Sequence, residues 1–104
     1  MCTPNVHTIR YMYVEWDPTK ARSNLKKHGV DFADAAVALE DPNALTTEDG
    51  GHHELRFKTL GMGPDLNILF VVHVYRDEDA IRIISARKAD RGETDQYHQG
   101  LSYE

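Results

Sequence analysis

The 104-residue sequence predicts a single α+β domain: a strand, two helices, a meander of antiparallel strands and a C-terminal helix packed on the sheet. Three observations predict it. Apolar residues recur with helical spacing only in the first half and at the end. The stretch from Glu54 to Lys88 reads as strand after strand, separated by turn clusters rather than by helices. A chain of this length holds one modest core, and at 40% hydrophobic and 28% charged residues its composition is that of an ordered domain.

The elements follow in order. Residues 1–11 are read as a flexible extension to the domain. Tyr11 to Trp16, aromatic and β-branched, is the first strand. Asp17-Pro18 supplies a cap and a proline suited to the first helical position, so a helix runs from Thr19 to His28. Ala21, Leu25 and part of His28 are expected on its buried side, and Gly29 ends it. Asp31 caps a second helix with Phe32, Ala35, Ala36 and Leu39 as its apolar stripe, and Asp41-Pro42 stops it. An edge strand is expected near Ala44 to Glu48. Leu55 and Phe57 alternate with Glu54, Arg56 and Lys58 in the next strand. Leu66 to Tyr75, almost continuously apolar, is the central strand, with His73 as a hydrogen-bonded core residue. Ala80 to Lys88 completes the sheet. Asp90 and Glu93 stand at capping-box spacing before a last helix carrying Tyr97 and Leu101.

The formal net charge of −5 argues against indiscriminate attraction to nucleic acid. Its distribution is polarised. Every Asp, Glu, Lys or Arg from Gly29 to Leu55 is acidic (Asp31, Asp34, Glu40, Asp41, Glu48, Asp49 and Glu54), a stretch that could face a basic partner. Arg82, Arg87, Lys88 and Arg91 face only Asp90 between Ile81 and Arg91, so an anion site is expected to draw on them, with Lys26 and Lys27. Strict alternation puts Ile81, Ile83, Ser85 and Arg87 on one face of their strand. Arg56 and Arg87 either converge as a phosphate clamp, since each guanidinium presents paired donors, or sit apart in ion pairs with Glu54 or Asp90. Glu93 and Tyr97, one turn apart, either share proton transfer and base stacking or serve as cap and packing residue. A lone cysteine, Cys2, and adjacent His52 and His53 without a ligand-spaced partner give no metal site, and no cofactor is expected. The longest apolar run, Ile68 to Val72, is too short for a membrane span, and residues 1–10 have no leader-like apolar core; a cytoplasmic location is expected.

Glu15-Trp-Asp-Pro-Thr-Lys20, Asn24-Leu-Lys-Lys-His-Gly-Val-Asp-Phe32, Ala35, Glu54-Leu-Arg56, Ile81-Arg-Ile-Ile-Ser-Ala-Arg87 and Glu93 with Tyr97 resemble the BrnT family, over about residues 13–97. The resemblance implies a RelE-like fold and a toxin of a type II toxin–antitoxin pair. It implies metal-independent endoribonuclease cleavage that inhibits translation and growth, and a BrnA-like antitoxin whose DNA-binding domain links the pair to DNA indirectly. It carries catalytic roles to Arg56, Arg87, Glu93, Tyr97 and His28 and substrate contact to Lys27; Arg82, Lys88 and Arg91 join as substrate-binding residues from the basic stretch. Asp95 departs from the basic character such toxins have in the last helix. A non-catalytic domain that binds only an antitoxin-like partner is the competing reading, and a metal-dependent hydrolase a third.

Overall fold

The computed structural model describes residues 5–9, 12–51, 53–77 and 79–101; Cys2, Tyr11 and His52 lie outside them. The strands β1 (Asn5–Ile9), β2 (Met12–Trp16), β3 (Leu45–Asp49), β4 (Arg56–Met62), β5 (Ile68–Asp77) and β6 (Ala80–Lys88) form one sheet in the order β1-β2-β6-β5-β4-β3. From β3 to β6 every neighbour is antiparallel, which is the expected meander. β2 joins it by running parallel to β6. The expected extension over 1–11 is corrected at Asn5–Ile9, which pairs antiparallel with β2. Without β1, β2 would leave its outer N–H and C=O groups unpaired in the ladder.

Helices α1 (Pro18–His28) and α2 (Phe32–Leu39) cover one face of the sheet, and α3 (Arg91–Leu101) packs on the other. The caps fall where the sequence places them. Asp17 and Asp31 accept from the N–H groups of Thr19 and Ala33, and Gly29 closes α1 at φ 71°, a left-handed conformation that favours glycine. Phe32, Ala35, Ala36 and Ala38 are fully buried, with Phe32 edge-on to Trp16 at 6.3 Å. The small side chains bring α2 close enough that a Cβ at Gly61 would collide with the Ala38 carbonyl.

Two inward positions differ from expectation. Leu25 is 47% exposed, and the buried residue of α1 is Asn24. Its Oδ1 accepts from the Ala86 N–H at 3.1 Å, and its Nδ2 donates to the Ala86 and Val30 carbonyls at 2.8 and 3.0 Å. β2 pairs with β6 only as far as Arg82, and the Asn24 carboxamide takes over beyond that point as a short stand-in strand. Leu55, expected inward, precedes β4 and is exposed.

Candidate nucleic-acid interface

Residues in register across neighbouring strands share a face. On the face opposite α1 and α2, three rows run across β4, β5 and β6: Leu60–Phe70–Arg87, Lys58–Val72–Ser85 and Arg56–Val74–Arg82. Tyr97 of α3 covers the first row, packing with Leu60 and Ile68. The other two rows form a face rich in basic side chains.

Arg87 reaches this face because of a bulge. The register passes from Val72↔Ser85 to His73↔Ile83, so Ile84 is an extra residue in β6. Ile81 and Ile83 therefore join the core beneath the helices, while Ser85 and Arg87 turn to the open side. The single alternating row expected for Ile81, Ile83, Ser85 and Arg87 is broken at this point.

The Arg87 guanidinium forms a two-pronged pair with Glu93, Nη1 to Oε1 at 2.8 Å and Nη2 to Oε2 at 2.9 Å, and its Cζ lies 4.1 Å from the centre of the Phe70 ring. Glu93 is fixed in turn by the capping box: its Oε1 accepts from the Asp90 N–H at 2.9 Å, and its own N–H donates to Asp90 Oδ1 at 2.8 Å. The Arg87 hydrogen bonds hold the Glu93 carboxyl below its ordinary range against partial burial, aided by the Asp90 N–H and the charges of Arg87 and Lys58. The same hydrogen bonds push Arg87 upward. The pair is ionised, aligned and beside a second cation, Lys58.

The two-arginine clamp is corrected. Arg56 and Arg87 share the open face, but two rows and two strands separate them, about 16 Å between Cα atoms from ordinary sheet spacings. Arg56 Nε lies 3.5 Å from Glu54 Oε1 in its own ion pair. Tyr97 is 2% exposed and its hydroxyl donates to Asp41 Oδ2, which also accepts from the Met62 N–H at 2.9 Å. Burial, then the Asp41 carboxylate, push the phenol up to about 12. Burial opposes the Asp41 charge, but the hydrogen bonds from Tyr97, Asn43 and Met62 outweigh it and hold that carboxyl low. Tyr97 is thus an anchor, available neither for stacking nor for proton transfer. His28 and Lys27 end α1 in the helix layer, and Lys88, in register with Leu69, projects to that side. These three are not gathered with Arg87. Arg82 is on the open face, and Arg91 is exposed in the first turn of α3. Sequence reasoning missed Lys58 as a site residue, although its alternation with Arg56 was a usable signal. It also missed Asn24 and Asp41, polar residues that the fold uses at buried junctions. Of the acidic stretch, Asp31 and Asp41 serve as cap and anchor, and Glu54 pairs with Arg56. Among the described residues, no group of three or more His, Cys, Asp or Glu side chains could hold a metal ion, and no helix is long and apolar enough to cross a membrane.

The architecture defines a small α+β domain whose main core lies under α1 and α2 and whose other sheet face, beside α3, presents an ordered arginine–carboxylate pair amid other cations. Residues 16–93 match the model of the ribonuclease toxin BrnT of type II toxin–antitoxin systems. The chain belongs to the BrnT family. Among solved structures it is similar to the Brucella abortus ribonuclease toxin BrnT, at 27% identity and a TM-score of 0.56, covering 81% of this chain and 100% of that one. No curated protein matches the chain. Membership makes this one half of a type II pair, with an antitoxin as its partner.

Proposed function

We propose that the chain is a metal-independent endoribonuclease of the cytoplasm that blocks translation and growth, neutralised by a BrnA-like antitoxin whose DNA-binding domain connects the pair to DNA. The observation that carries this reading is the Arg87–Glu93 pair, seated on Phe70 beside Lys58 on the open sheet face. In this mechanism a 2′-hydroxyl gives its proton to water as its oxygen attacks the adjacent phosphorus in line. A 2′,3′-cyclic phosphate forms as the bond to the 5′-oxygen of the next nucleotide breaks, and that oxygen takes a proton from water as it leaves. Arg87 and Lys58 stabilise charge growing on the phosphoryl oxygens. Glu93 is a positioning residue: its oxygens are engaged with Arg87 and the Asp90 N–H, and it holds the guanidinium in one orientation. Arg56 contributes substrate attraction from its separate row.

A preorganised donor at a developing oxyanion contributes about 3–4 kcal/mol, so Arg87→Ala is expected to slow cleavage by roughly two to three orders of magnitude. The assay uses single-stranded RNA in excess EDTA, with thermal melting of each protein to confirm folding. Wild-type-like cleavage by a folded Arg87→Ala protein rejects the arginine role. Absence of cleavage across many RNAs, with and without the chelator, leaves the protein-interaction reading in its place, and cleavage abolished by the chelator favours a metal-dependent hydrolase.

A further inference from the structure

Away from α3, a concavity of about 210 Å³ opens where the Arg56–Val74–Arg82 row meets the start of α1. Lys20, Arg76 and Arg82 line it together with Asp17 and Glu54. The two carboxylates have other work: Asp17 caps α1 through the Thr19 N–H, and Glu54 pairs with Arg56. Among the described residues, no hydrogen bond or ion pair engages the side chains of Lys20, Arg76 or Arg82, nor does Glu15, the neighbour of Arg82 in register on β2, form one with the Arg82 guanidinium. The three cations outnumber the two carboxylates of the hollow and repel one another, and an anion placed there relieves that repulsion. Two guanidinium groups and an ammonium suit a phosphate oxygen set.

The hollow's position names its ligand. Arg82 and Arg87 lie on the same face of β6, about 13 Å apart by strand rise with the bulge removed; Lys58 stands on the row between them and Arg56 on the row of Arg82. Tyr13, half-exposed on β2 and two residues before Glu15, shares that face and offers a ring for a base. Resting on the ribonuclease reading above, we infer that Lys20, Arg76 and Arg82 form a second anion subsite that holds a backbone phosphate of single-stranded RNA several nucleotides from the scissile one. The substrate then lies extended across the open face, and a fragment shorter than the distance between Arg82 and Arg87 engages only one end of it.

The test compares wild type with Arg76→Gln/Arg82→Gln and with the exposed single substitution Arg76→Glu, which disturbs no packing. Binding of a fully 2′-O-methylated, uncleavable single strand of about twelve nucleotides is measured against salt concentration. Cleavage is measured for an unmodified twelve-nucleotide RNA and a trinucleotide. Loss of one phosphate contact is expected to reduce the slope of log K against log salt by about 0.7, and to shrink the advantage of the long substrate in kcat/KM by about tenfold. Unchanged slope and unchanged long-to-short ratio, with wild type binding and cutting RNA, overturn the subsite and leave the ribonuclease reading standing. Failure of wild type to bind or cut RNA removes both. Variants that lose affinity for the antitoxin alone assign the hollow to the protein partner and overturn the RNA subsite.

Discussion

At the scale of single residues, Tyr97 within α3 and Arg87 near the end of β6 divide their labour. Arg87 and Glu93 hold each other at an accessible face, whereas Tyr97, deep under α3, fastens the helix to Asp41 after α2. Tyr97→Phe removes a hydrogen bond to a charged partner and is expected to cost about 1.5–3 kcal/mol of stability. Cleavage per folded molecule should change little, since the ring still fills its place among Leu60 and Ile68. Denaturant unfolding beside initial rates checks this; a stable Tyr97→Phe protein that has lost cleavage would return the phenol to the reaction. The resemblance in sequence placed Arg87, Glu93 and Tyr97 together, and the chain does keep them near one helix. Their separate tasks were not legible, because burial of Tyr97 depends on Asp41, which lies 56 positions earlier.

At the scale of elements, short-range chemistry was the readable part. Asp17-Pro18, Asp31 and Asp90 with Glu93 act within a turn of their own position, so their caps stand where the sequence puts them. The sheet's registers were not readable in the same way. A strand's face assignment fails at a single extra residue, and Ile84 is that residue. One insertion moves Arg87 from the core side to the open side. The contact of α2 with β4 is also register-dependent, since it needs a residue without a side chain opposite Ala38. Gly61→Ala forces its Cβ into that backbone carbonyl and is expected to destabilise by about 1–3 kcal/mol or more, with the helix displaced. Chemical denaturation measures the loss; a variant as stable as wild type would show that α2 does not press on β4 at this point.

At the scale of the whole molecule, β5 carries a titratable group in its middle. His73 is 1% exposed, packed between Phe57 and Tyr75, with Nε2 2.8 Å from the Thr59 hydroxyl and Nδ1 without a partner among the described residues. Burial pushes the imidazole from its usual 6.5 down to about 4. The unfolded chain takes up this proton as pH falls below about 6.5, and the folded one only near 4. Stability from this group is therefore complete above 6.5 and is lost as pH drops from there toward 4, by at most about 3 kcal/mol. Thermal melts from pH 7 to 4.5, repeated with His73→Gln, test the origin: an equally steep decline in both proteins would remove the histidine as its source. Finally, Asn24 has a consequence for association. Its amide occupies the main-chain groups of Ala86 where β2 stops, so a foreign chain cannot extend the ladder there. A partner that binds by strand addition is left with β1 or β3, the two borders of the sheet, neither of which carries Arg87 or its row-mates on β4 and β5.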